Sequence, residues 1–400
     1  MKRYLLITMI SALLPLGGCS SLHNKSKKDA QQRWTEARLN ITYNLAREQL
    51  ANGDLQKAEQ SVATLRQMDD SFLPAYVLAA QVYHEQDRPL KAREQLLSCL
   101  NLDPEFAPAH YHLGIIHEHV KDLDSALVSY QAAWENDKQN PYYFLAGVET
   151  LIALDRTDEA LRAIVQNLSV VEENASIYIL AGNIHVQQNQ PPEALSMFLK
   201  ARQVDPVDPL VRESLAFAYH RVGQAEKALD IFNQLQDERR RDEKPQSTAY
   251  TLAMGDCYMA LGQFHQAKRT YEQVSDDQPL NPLIWTRLAQ TSIARGRYPE
   301  AQGYADRALT LQPNLLEGLM VKGYVAMHQE NYEDAQSWFM RCVNLYPEEV
   351  TGYCLLGQAF EKDGQPDKAV TCYRQAQKVS PSDKLPRELL AAALEQLSQQ

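Results

Sequence analysis

What this chain lacks narrows its function first. No apolar run reaches the roughly 20 residues that a helix needs to cross a bilayer, and there is no low-complexity tract. It contains no phosphate-binding GxxxxGK[ST] loop, no GxGxxG fingerprint, no GxSxG elbow, no HExxH and no acid-rich calcium loop. Cysteines number six, and none forms a CxxC pair, so neither a zinc ribbon nor a disulfide framework is indicated. Basic charge is in short supply. With 40 Lys and Arg against 51 Asp and Glu, the net charge is -11, and such a surface repels the phosphate backbone of nucleic acid. The four histidines His110, His112, His117 and His119 crowd one segment. On a helix, neighbours two apart point about 200° apart, and pairs seven apart lie about 10 Å apart along the axis, too far to share one ion. No metal, no cofactor and no enzymatic activity are expected.

What is present is a beat. Ala58, Ala92, Ala126, Ala160, Ala194 and Ala228 stand 34 residues apart. After a slip of five residues the same period resumes at Ala267, Ala301, Ala335 and Ala369. About twelve residues before most of these lies a second small residue: Ala46, Ala80, Gly114, Gly182, Ala216, Gly255, Ala289, Gly323 and Gly357. About twelve after comes a proline, as at Pro104, Pro206, Pro279, Pro313, Pro347 and Pro381. Between these marks run two helix-length segments of apolar period, joined by turn residues such as Asn52–Asp54, Val222–Gln224 and Asp363–Gln365. Two helices cross closely only where neither presents bulk. The small pairs are therefore packing residues, with Tyr130, Phe198, Phe232, Tyr271, Phe339 and Tyr373 filling the space around them.

Units such as Tyr76–Pro104 (YVLAAQVYHEQDRPLKAREQLLSCLNLDP) and Cys354–Pro381 (CLLGQAFEKDGQPDKAVTCYRQAQKVSP) resemble the tetratricopeptide repeat (TPR) in their order of aromatic, small, Tyr, Ala, aromatic, Ala and Pro residues. The resemblance covers about Leu39–Pro381, ten units, with the unit around Ala160 the most divergent: Asn167 stands where other units carry a late small residue such as Ala133 or Ala201, and it has no closing proline. It implies an all-α, right-handed α-solenoid of about ten helix-turn-helix units, first helices on the concave face, with the amphipathic segment 382–400 as a capping helix. The slip falls in the charged stretch Gln236–Pro245. It divides a six-unit block, 34–242, from a four-unit block, 243–381, and is either a hinge or a lengthened helix and turn in a continuous array.

The first residues differ in kind. Lys2 and Arg3 precede a mostly apolar Tyr4–Leu16, then Gly17, Gly18 and Cys19. This reads as a secretory signal over 1–18. Leu16-Gly17-Gly18-Cys19 is similar to a bacterial lipobox, which implies lipidation of Cys19. Ser20 in place of aspartate then favours the outer membrane, facing the periplasm of a Gram-negative envelope. Residues 19–33, polar and basic without apolar period, read as a flexible tether. The membrane is expected to be reached through the lipid anchor alone.

If the first helices line a groove, Tyr43, Val77, Tyr111, Ile115, Leu145, Ile179, Asn183, Phe217, Leu252, Met320 and Tyr324 point into it. Such a face, apolar and neutral-polar, suits an extended or helical protein segment, although each residue could equally pack on its neighbour. The expected function is a non-catalytic, lipid-anchored scaffold binding other envelope proteins, of the kind that assists a pilus or secretion pore. The alternatives are a subunit of an exopolysaccharide synthesis and export complex, or an adaptor of peptidoglycan enzymes or proteases.

Overall fold

The computed structural model describes residues 18–399, and among these it holds twenty-one helices and no strand. The chain divides into two compact units, one running to Ile184 and the other beginning at His185. The first contains α1 (Gly18–Ala51), α2 (Leu55–Met68), α3 (Leu73–Glu85), α4 (Pro89–Leu102), α5 (Ala107–His119), α6 (Leu123–Asn136), α7 (Pro141–Ala153), α8 (Thr157–Val171) and most of α9 (Ala175–Gln187). The second continues with α10 (Pro191–Val204), α11 (Pro209–Arg221), α12 (Ala225–Arg241), α13 (Thr248–Ala260), α14 (Phe264–Asp277), α15 (Pro282–Ala294) and α16 (Tyr298–Leu311). It ends with α17 (Leu316–His328), α18 (Tyr332–Leu345), α19 (Val350–Lys362), α20 (Pro366–Val379) and α21 (Lys384–Gln399). These are ten helical hairpins followed by one further helix.

The alanine beat marks the crossings. All ten alanines lie on the second helix of a hairpin, and each is at most 1% exposed. The small residue on the first helix lets an aromatic ring approach: a Cβ on Gly114 would stand 2.5 Å from Cε1 of Tyr130, and one on Gly255 2.4 Å from Cε1 of Tyr271. Each ring then reaches a carboxylate on the first helix. The Tyr130 hydroxyl donates to Glu118 at 2.8 Å, and that of Tyr271 to Asp256 at 2.5 Å.

The turn inside each hairpin repeats as strictly. The residue five before each alanine has positive φ in all ten cases: Gly53, Asp87, Lys121, Asp155, Asn189, Gly223, Gly262, Gly296, Glu330 and Gly364. The amide after it bonds five residues back, as from Arg88 to the Tyr83 carbonyl (2.8 Å) and from Gln365 to that of Phe360 (2.8 Å). This closure satisfies carbonyls that the helix end would otherwise orphan, and it requires a left-handed residue. Prolines stand at the first or second position of α3, α4, α5, α7, α10, α11, α15, α16 and α20, where a missing N–H costs nothing.

Within each compact unit the first helices form an inner row. α1 packs on α3 and α3 on α5, while in the other unit α11 packs on α13, α15 on α17 and α17 on α19. Helices that touch across successive hairpins lie on the inside of a bend, so the first helices carry the concave side of each unit. At the C-terminal end α21 packs on α19 and α20 and buries Ala393 completely.

Three expectations from sequence meet the structure at particular places. The five-residue slip lengthens α12 to 17 residues and widens the turn after it. Gln236 fastens that turn: its side-chain amide donates to the Ser247 carbonyl (3.2 Å) and to Thr251 Oγ1 (3.0 Å), and its Oε1 accepts from the Ser247 amide (3.1 Å). Residues 19–33 are not an open coil in this structure, since α1 begins at Gly18 and runs through them. Their Lys, Gln and Ala are adequate helix formers and no proline or internal glycine interrupts them, so the helix of the first repeat propagates backward. Residues 1–17, where the signal is expected, and the side chain of Cys19 lie outside the described residues.

Candidate partner-binding face

The concave row is richest where α1, α3 and α5 meet. A hollow of about 440 Å³ is lined by Leu50, Ala80, Gln81, His84, His112 and Ile115, with Glu85 and Ile116 beside them. Because α3 and α5 touch, His84 comes within 4.8 Å of the His119 ring, edge to face. His119 in turn lies 3.4 Å from Asp87. The side-chain nitrogen of Gln81 is 2.8 Å from His112 Nε2. Burial, with His84 beside it, pushes the His112 pKa down to about 4, so the ring is neutral at pH 7. The Nδ1 atom of His84 is enclosed with no hydrogen-bond partner. Among the described residues no group of three His, Cys, Asp or Glu is placed to hold a metal ion.

The residues expected in the groove divide into two sets. Tyr43, Tyr111, Ile115, Phe217, Leu252, Met320 and Tyr324 are half-buried, and Asn183 is exposed. Val77, Leu145 and Ile179 are buried, at 8%, 7% and 5% exposure, and serve the packing between helices. Several of the half-buried aromatics are held by neighbours. Tyr111 lies 5.6 Å from Tyr130 and 5.1 Å from Tyr143. Phe217 lies 5.0 Å from Phe232, and Tyr324 lies 4.5 Å from His328. Rigid rings presented this way offer contact area at little further entropic cost.

Sequence reading missed two groups on this side. One is His84, which lies a repeat away from the four clustered histidines and meets them only through the packing of α3 on α5. Aligning the units on their alanines, rather than reading the histidines along one helix, was the signal available. The other is the set of partners that Asp256, itself placed on the groove side by its position, gathers in the second compact unit. There Asp256 accepts from Tyr271 and from Arg287 Nε (3.1 Å), with His220 Nε2 at 3.9 Å. The five cysteines from Cys99 to Cys372 are free thiols, four of them buried.

Profiles of the Tetratricopeptide repeat match residues 73–106, 179–246, 252–315, 288–348 and 350–383, together more than half of the sequence. The chain belongs to the tetratricopeptide repeat family. Among its relatives is the TPR repeat-containing protein MJ1428 of Methanocaldococcus jannaschii, 22% identical over 347 residues, covering 85% of this chain and 52% of that protein. The human Protein O-mannosyl-transferase TMTC3 is 29% identical over 205 residues, covering 49% of this chain and 22% of its own length. The chain thus spans about half or less of these relatives. The crystal structure of yeast Tom70 superposes with a TM-score of 0.46 at 12% identity, covering 91% of this chain and 96% of that one. TPR proteins are generally non-catalytic, and TPR repeats suggest a scaffold for protein–protein interaction.

Proposed function

We propose that this TPR protein is a lipid-anchored scaffold of the bacterial envelope whose concave face holds a segment of a partner protein, in the service of a pilus or secretion pore. The observation that carries the binding reading is the hollow between α1, α3 and α5. It is concave, apolar at Leu50, Ala80 and Ile115, and edged by the neutral polar groups of Gln81 and His112. A helix or strand with one apolar anchor fits such a surface. The envelope reading rests on the signal-like start and the Leu16–Cys19 lipobox.

The test is photocrosslinking in the native host, with the probe at Ile115 or Tyr324 and a control at Val128, which is 66% exposed on a second helix. Adducts with a pore or pilus component from the first two positions alone support the proposal. Equal labelling from Val128 would sink the concave-face reading, and adducts with glycan-export proteins would move the chain to that machine. The anchor is tested separately by intact mass. An N-terminus that begins at a diacylated Cys19 is expected, and an unmodified Cys19 refutes it.

A further inference from the structure

Among the described residues the array is capped at its C-terminal end, by α21. The residue seventeen before each repeat alanine lies on a first helix, and at Gly318 and Gly352 it abuts the preceding second helix through Leu309 and Val343. It is buried at Ala75, Ala109, Tyr143, Ile177, Val211, Tyr250, Ile284, Gly318 and Gly352. In α1, the first described helix, the same position is Ile41, and it is 69% exposed. One turn on, Leu45 is 46% exposed, and two turns back Trp34 is 62% exposed. At 100° per residue these three side chains fall within about 40° of one another. They form a single apolar stripe opposite the face that α1 buries with Leu39 and Ala46. Arg38 and Glu48 lie along the same stripe, the Arg38 guanidinium 5.4 Å from the Trp34 ring.

Charge selects the occupant. α1 holds six basic residues, Lys25, Lys27, Lys28, Arg33, Arg38 and Arg47, against the acidic Asp29, Glu36 and Glu48, in a chain whose total is -11. Two copies of α1 face to face would bring like charge together. An anionic lipid surface is complementary to that net charge, and a basic helix with a Trp-bearing apolar stripe is the form that lies in a headgroup layer. We infer that the exposed face of α1 docks on an anionic membrane surface, with Trp34, Ile41 and Leu45 inserted among the headgroups. This contact is separate from the concave face and from the expected acyl chains on Cys19.

The experiment uses the full chain purified from its host and mixed with vesicles of brominated phosphatidylglycerol or brominated phosphatidylcholine. Trp34→Phe serves as the spectroscopic blank that isolates Trp34 from Trp134, Trp285 and Trp338. Bromine quenches indole only at contact, so an acyl anchor that merely tethers the chain leaves Trp34 bright. The expected result is quenching of the Trp34 component in phosphatidylglycerol vesicles, at least threefold weaker in phosphatidylcholine vesicles and in Ile41→Asp. Circular dichroism of that variant should be unchanged, since Ile41 is 69% exposed. No quenching in either vesicle type, whether or not the protein floats with them, overturns the inference, as does equal quenching in both. A dimer in solution that Ile41→Asp converts to monomer, with Trp34 unquenched by lipid, gives the face to a second copy instead.

Discussion

The ring of Tyr373 lies so close over Gly357 that a Cβ there would stand 2.3 Å from Cε1. The Tyr373 hydroxyl goes on to donate to Glu361 at 2.7 Å, which fixes the ring from its far end. Neither atom can retreat cheaply, since Tyr373 is fully buried. Gly357→Ala is therefore expected to destabilise the chain by about 2–3 kcal/mol, as overpacking of a filled core does. The chain supplies its own remedy. In the hairpin of α3 and α4 the matching pair is Ala80 and Leu96, both buried. Adding Tyr373→Leu to Gly357→Ala should recover more than half of the loss. Urea denaturation of the two single variants and the double variant checks this, and simple additivity of the two losses would refute it.

The fold was legible because its determinants are local and repeated. A 34-residue beat needs only the small residues at the crossing and the turn before each alanine, and both are visible as letters. The concave face was legible in part. Its candidate residues all lie on first helices, but Val77, Leu145 and Ile179 are buried, and position along a helix does not separate seam from groove. His84 and the Asp256 cluster were hidden for the opposite reason. They arise from contacts between successive first helices, 28 to 36 residues apart in sequence, and no single helix carries the pattern. The start of α1 escaped because polar composition argues against burial, not against helix.

The hairpin turns separate steric from conformational cost. Gly364 has φ +71° with nothing within 4 Å of where a Cβ would sit. Gly364→Ala is expected to cost about 1 kcal/mol, all of it from the left-handed backbone. Lys121 occupies the equivalent position at φ 63°. Lys121→Gly should therefore stabilise, by up to about 1 kcal/mol less the greater freedom glycine has when unfolded. Opposite signs at equivalent sites are the expected outcome in thermal unfolding. A loss of stability in Lys121→Gly would show that its side chain outweighs its backbone.

Gln236 sits 5% exposed beneath the widened turn and serves three partners there. Gln236→Ala removes the acceptor of the Ser247 amide and both donations to Ser247 and Thr251. The expected loss is about 1–3 kcal/mol. Hydrogen exchange at the Ser247 amide should accelerate well beyond what the global loss explains. Unchanged protection there would mean that the turn is held by the Arg239 Nε donation to the Pro245 carbonyl (2.9 Å) instead.

His112 gives the concave side a pH dependence of definite sign. Its pKa falls to about 4 in the fold, chiefly through burial and secondarily through His84, from about 6.5 when unfolded. The unfolded chain therefore binds the proton first as pH drops. Stability from this group is complete above about pH 6.5, declines as pH falls from there to about 4, and levels off below, with a total of at most about 3 kcal/mol. His117 and His220, also lowered mainly by burial, add slopes of the same sign. His112→Gln has no ring to protonate and keeps an amide facing Gln81. Its urea midpoint should fall less than the parent's between pH 6.5 and 4, while the two curves run parallel above pH 7. Parallel curves across the whole range would place the His112 ring in water, open the seam between α3 and α5, and remove the floor of the hollow on which the binding face depends.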